Sequence, residues 1–228
     1  MRRLLNSIFA LFLLLTAALA QAGALDAIST GDASAGVKEA LAKGADYAVA
    51  SLGKDGGFMG NSKVKIPLPG YLQKAEKGLR MFGMGKQADQ LIETMNHAAE
   101  DAVAEAKPIL VESIKKMSVQ DAKGILTGGE GSVTQYFKRT SSTQLSEKFM
   151  PIVKASTSKL KLADKYNQFA GKAASSGLIE QKDADLDGYV TQKAMDGLFL
   201  MIAEEEQKLR ANPVGAGSDL LKKVFGAL

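Results

Sequence analysis

Apolar residues recur every three or four positions along most of this chain, and the clearest run lies between Lys86 and Met117. Ala88, Ile92, Met95, Ala99, Val103, Ala106 and Leu110 share one face of a helix turning by about 100° per residue. Asn96 and Glu100 fall on the shoulder of that face, while His97 and Asp101 lie nearly opposite. Ala98, Ala102 and Ala104 keep the remaining sides slim, so neighbouring helices can approach from more than one direction. The spacing predicts a central helix over 86–117, kinked where Pro108 removes a donor and crowds the preceding turn.

The same rhythm predicts the other elements. Asp32 or Ser34 caps a first helix with Val37, Leu41, Ala45, Ala48 and Leu52 inward, closed by Gly53. A glycine-rich loop follows, then Lys63–Ile66 alternates as a short strand would until Pro67. Its predicted partner is 188–190. Pro69-Gly70 opens a helix through Leu72, Ala75, Leu79 and Phe82. Ser118 and Asp121 have capping-box spacing ahead of a short helix ending at Gly128-Gly129. Val133, Tyr136 and Phe137 mark another short helix, and Thr140 to Thr143 cap a longer one kinked at Pro151. Tyr166, Phe169 and Ala173 suggest a further segment. Thr191 caps the last long helix, with Met195, Leu198, Ile202 and Leu209 inward and Asn212-Pro213 as its stop; Ser218 caps a final DLLKKVF. The reading is all-α: a single irregular multi-helix bundle of roughly seven to nine helices, with at most a very short two-stranded β element.

The start of the chain reads differently. Arg2 and Arg3 precede an apolar run, Ile8 to Leu15, and small residues at Ala18, Ala20 and Ala22 offer cleavage after Ala20 or Ala22. The run falls short of the ~20 residues that a membrane span needs. Residues 1–22 are therefore expected to be a signal peptide and 23–228 a single helical domain, soluble in the periplasm. Removing Arg2 and Arg3 with the leader takes the formal charge from +4 to +2, too little to argue for nucleic acid. With no cysteine, an exported chain must rely on helix packing rather than disulfides.

Few residues suggest chemistry. Asp183, Asp185 and Asp187 followed by Gly188 have the spacing of a calcium loop, but the bidentate glutamate of the twelfth position is replaced by Ala194. Calcium is thus a weak alternative, against an acidic solvated loop. His97, the sole histidine, lies among Glu93, Glu100 and Asp101, which reads as a solvated face with helical partners; one histidine cannot complete a typical zinc set. No nucleophile motif and no phosphate-cradling loop occurs. Beyond the leader there are only three arginines, Arg80, Arg139 and Arg210. Glu205 sits in the apolar stripe of the last helix, where a carboxylate must be paired. Glu205 and Glu100 are expected to meet those arginines, with Asn96, in a semi-buried cluster that fixes helix register. An anion site there is the less favoured reading, and an enzyme acting through Glu100, Asn96 and Arg139 the remaining alternative.

Several strings carry a likeness: KIPLP from Lys65, MNHAAE from Met95, DAKGILTGG from Asp121, VTQYF from Val133, FMPIVK from Phe149, YVTQKAMDGLF from Tyr189, EEEQKLRANP from Glu204 and LLKKVFG from Leu220. Together they resemble the bacterial domain-of-unknown-function 4197 family across nearly the whole chain after the leader. The resemblance implies a signal-bearing, mostly helical envelope protein of Gram-negative bacteria, and no activity. The chain departs from the family pattern at His97, where arginine is common, and at Gly215-Ala216-Gly217, where an arginine is usual. The expectation is a non-catalytic periplasmic protein without cofactor, with a binding or structural role. Its partner would be an apolar or anionic ligand, or another envelope protein.

Overall fold

The computed structural model describes residues 29–70, 72–73, 80–81, 83, 85–159, 175, 177, 185–213 and 218–225, with only the backbone at 221 and 223. The helices are α1 (Thr30–Leu52), α2 (Gly85–Ala104), α3 (Lys107–Lys115), α4 (Val119–Thr127), α5 (Ser132–Thr157), α6 (Leu186–Ala211) and α7 (Asp219–Phe225). No strand occurs among the described residues, so the protein is all-α there. The leader, Asp183, the segment around Tyr166 to Ala173, and Ala75, Leu79 and Phe82 lie outside the described residues; Gly70, Leu72, Gln73, Arg80 and Met81 are helical.

Four long helices build the core. α6 packs against α5, α1 and α2, while α2 also packs against α5 and α1. α3 and α4 bridge α1 and α5, and α7 lies on α1. Leu41, Leu52, Met95, Leu110, Phe137, Leu145, Phe149 and Leu198 are fully buried in one continuous apolar cluster. α7 comes close because Gly36 on α1 has no side chain; a Cβ there would stand 2.7 Å from a Val224 methyl.

Several boundaries differ from the sequence expectation. The helix predicted over 86–117 is two helices. Glu105 and Ala106 tighten their bonds to Ala102 and Val103, and Pro108 enters the first turn of α3, where its missing N–H has no helical partner to lose. The break turns α3 onto α1, where Lys107 pairs with Asp46. Pro151, by contrast, sits on the exposed side of an α5 that continues through it. α5 also absorbs the break expected before Thr140, whose hydroxyl donates to the Tyr136 carbonyl instead of capping. Ser29, not Asp32 or Ser34, accepts from the Asp32 amide at the start of α1. α6 begins five residues before Thr191, with Asp185 at its N-cap position. The capping box of Ser118 and Asp121 is present as expected.

The predicted strand partner at 188–190 is helical, being the first turn of α6. Lys63 and Val64 lie in a turn closed on the Asn61 carbonyl, and Ile66 beyond it is satisfied by a side chain rather than a second strand: Asn96 pairs with both the N–H and the C=O of Ile66. An amide side chain offers the same donor–acceptor pair that a neighbouring strand would. The segment from Gly53 to Leu68 thereby docks across the bundle with Phe58, Val64, Ile66 and Leu68 buried. Gly197 on α6 makes room for it; a Cβ there would lie 2.7 Å from the Phe58 ring.

Candidate functional site

Two polar assemblies and one cleft stand out where this core departs from apolar packing. The first lies on α2, where Asn96 and Glu100, one turn apart, turn inward beneath the 53–68 segment. Asn96 is fully buried, and its amide also donates to the Ile92 carbonyl. Glu100, 4% exposed, accepts from the Phe58 and Met59 amides at 2.8 and 3.0 Å through Oε1. Its Oε2 meets His97 Nδ1 at 2.7 Å. Charge-assisted bonds from two amides and an imidazole replace the water that this carboxylate gives up.

His97 is half-exposed and is the switchable member of the group. The hydrogen bond to Glu100 raises its pKa above the ordinary histidine value, against the opposing effect of partial burial; the charges of Glu100, Asp55 and Glu93 add to the rise. A raised folded-state pKa means that the contribution of this contact is fully present below about pH 6.5. It is lost as pH rises through the folded value. Because the chain has one histidine, its ring resonances report a single titration by NMR. The midpoint is expected above that of an exposed histidine, and Glu100→Gln is expected to lower it; equal midpoints would mean that the contact is not formed in solution.

The second assembly joins the ends of four helices. Gly131, the residue before α5, has φ 80° and supplies no capping side chain. Glu206 of α6 takes that role from across the core. Its carboxylate accepts from the Val133 and Thr134 amides and from the Thr134 and Ser132 hydroxyls, while Arg210 Nε donates to it at 3.1 Å. The positive end of the α5 dipole favours an anion at this place. Arg210 Nη2 reaches the Ile125 carbonyl at the end of α4 and the Ser132 hydroxyl, and its guanidinium lies 5.8 Å from the centre of the Phe225 ring on α7.

The arginine-bearing cluster expected from the sequence is therefore divided. Arg210 meets Glu206 rather than Glu205, which instead pairs with Lys208 beside solvent. Arg80 pairs with Asp89, and this ion pair holds the Asp89 carboxyl below its usual range. Arg139 pairs with Asp121. Bonds from Ser118, with a smaller effect from Arg139, lower the Asp121 pKa. Arg139 is thus not joined to Asn96 and Glu100, whose bonds go to 58–66 and to α2. Glu206 was open to sequence reasoning, since it lies four residues after Ile202 and four before Arg210. Asp55 carried no such signal. Of the aspartates with calcium-like spacing, Asp185 precedes α6 and Asp187 lies in its first turn, accepting from Thr157 Oγ1 at 2.6 Å. The backbone is helical from Leu186 onward, and Asp183 lies outside the described residues.

The cleft, of about 540 Å³, lies between α1, α6 and the start of α5. Ala40 and Gly44 of α1, Val133 of α5, and Ile202 and Leu209 of α6 give it apolar walls, with Glu206 reaching it from the capped junction. Lys43 and Lys208 stand at its edges, each more than half exposed and each paired with a helical neighbour, Glu39 or Glu205. Lys208 Nζ also lies 5.0 Å from the centre of the Tyr47 ring. The bond to Glu205 raises the Lys208 pKa, so that this ammonium stays charged at any physiological pH.

The family model described as protein of unknown function, DUF4197, matches residues 27–226. The chain belongs to that family. No curated protein and no solved structure matches it. Family membership accounts for the motifs spread from Lys65 to Gly226 without assigning a role to them. No described helix is long and apolar enough to cross a membrane.

Proposed function

We propose that this chain is an exported, non-catalytic protein of a Gram-negative cell envelope that binds a small amphipathic anion in the cleft between α1 and α6. The observation that carries the reading is the make-up of that cleft, apolar walls with the Lys43 and Lys208 ammoniums at its edge, while its two carboxylates, Glu205 and Glu206, are already paired with Lys208 and Arg210. Its volume of about 540 Å³ lies within the range of small-molecule sites. An alkyl body entering it gains about 0.8 kcal/mol for each buried CH₂. The exposed ion pairs of Lys43 and Lys208 are each worth about 1 kcal/mol or less, so an anionic head can replace Glu39 or Glu205 as their partner at small cost. The buried acids are engaged by backbone amides and Arg210, which supports binding rather than proton transfer. Export rests on the leader, with Arg2 and Arg3 ahead of the apolar run Ile8 to Leu15 and the small residues at Ala20 and Ala22.

Calorimetric titration of the chain from Gly23 onward with decanoate and with dodecyl phosphate tests the binding. Saturable one-to-one binding is expected, weakened at least tenfold by Lys43→Glu combined with Lys208→Glu, two exposed changes that leave the core untouched. No saturation with either ligand, or affinity indifferent to the charge reversal, would overturn the reading. N-terminal sequencing of the periplasmic protein is expected to begin at Gln21 or Gly23; an intact leader on cytoplasmic protein would contradict export.

A further inference from the structure

We infer that Asp55, His97 and Glu100 form a site for a divalent first-row transition cation such as zinc, between the glycine-rich loop and α2. One ligand atom from each residue lies within 4.8 Å of the other two. His97 Nδ1 stands 2.7 Å from Glu100 Oε2 and 3.7 Å from Asp55 Oδ1. Donors about 2.0–2.2 Å from a tetrahedral zinc stand roughly 3.3 Å from one another. Seating a cation therefore requires the first pair to open, and the second to close, by about half an ångström. Exposed side chains on Asp55 and His97 can make both movements.

The decisive feature is Glu100. A group of exposed acids alone would be unremarkable, but this carboxylate is more than nine-tenths buried and fixed by the Phe58 and Met59 amides through Oε1. Those bonds leave Oε2 directed at His97, the arrangement by which outer-shell partners hold a ligating carboxylate in place. One imidazole with two carboxylates suits zinc, manganese or iron(II) in preference to calcium or magnesium. Glu93, 3.9 Å from His97 Nε2, can accept from the ring nitrogen that the cation does not use and so fix the tautomer. The remaining coordination positions face solvent and would hold water. Because Asp55 lies just beyond α1 and the other two ligands lie on α2, an ion here fastens the 53–62 loop to the bundle. This site and the cleft between α1 and α6 share no lining residue.

The test uses chelator-treated protein from Gly23 onward and zinc chloride, followed by calorimetry and thermal melting. Zinc is expected to bind one-to-one, with a dissociation constant of micromolar or below, and to raise the melting temperature. Asp55→Asn and His97→Gln should each weaken binding at least tenfold, and for Asp55→Asn, at an almost fully exposed position, the melting temperature of metal-free protein should change little. Cobalt(II) should shift the single histidine ring paramagnetically at one equivalent. Calcium at millimolar concentration should not compete. Failure to saturate overturns the site. So does zinc binding that survives both substitutions, or a histidine ring that cobalt leaves unshifted.

Discussion

Glu206→Ala is expected to destabilise the protein by about 3–5 kcal/mol, the usual cost of removing one partner from a buried ion pair. Glu205→Ala, one residue earlier, should change stability by about 1 kcal/mol or less. Both acids line the same cleft, but they carry different loads. Without Glu206, the Val133 and Thr134 amides and the Thr134 hydroxyl lose their acceptor at a helix start where Gly131 offers none. Arg210, one-eighth exposed, is left as a buried charge with no carboxylate. At ~2–4 °C per kcal/mol for a domain of this size, the melting temperature should fall by roughly 6–20 °C. Replacing both partners, as in Glu206→Gln with Arg210→Met, should cost less than the sum of the single changes. Urea melts of the parent, the two alanine variants, the double variant and its two single changes provide the comparison. Equal losses for the two glutamates would mean that the junction is not the one described.

The second large effect is expected at Asn96. Asn96→Leu keeps the volume but leaves the N–H and C=O of Ile66 buried without partners. At about 1–3 kcal/mol for each unpaired buried group, the loss should come to roughly 2–6 kcal/mol. It should be local in origin, so hydrogen exchange at the Ile66 amide is expected to accelerate more than exchange within α5. Asn96→Asp is a sharper variant. A carboxylate cannot donate to the Ile66 and Ile92 carbonyls, whereas its protonated form can donate to one of them. That variant should therefore gain stability relative to the parent as pH falls, opposite to the trend expected at Asp121. The pKa of Asp121 is lowered in the fold, so its contribution is present above about pH 4 and is lost as pH falls through the folded value.

What could be read from the sequence follows the range of the interactions concerned. The Ser118–Asp121 box was legible because both of its bonds close within one turn. The apolar faces of α1 and α2 were legible because burial repeats with the helical period. Asn96 and Glu100 stood out as inward-leaning polar residues, but their partners are backbone groups 30 and 42 residues away, and spacing along a helix does not encode those. The choice between Glu205 and Glu206 turned on whether the stripe steps by three or by four after Ile202. Local pattern allows either, and the position of the α5 N-terminus decides it. The same holds for the prolines. Pro108 and Pro151 carry the same local penalty, yet the docking of α3 on α1 makes one a helix start while α5 continues through the other.

The role left to this fold is occupancy of the cleft, and native mass spectrometry of protein recovered from its own periplasm addresses that most directly. A bound species of a few hundred daltons is expected, carrying an acidic head and an alkyl or similarly apolar body, and lost when Lys43 and Lys208 are both changed to glutamate. Protein that arrives bare from the periplasm and stays bare after incubation with dodecyl phosphate would contradict it, as would a bound species that the charge-reversed variant keeps.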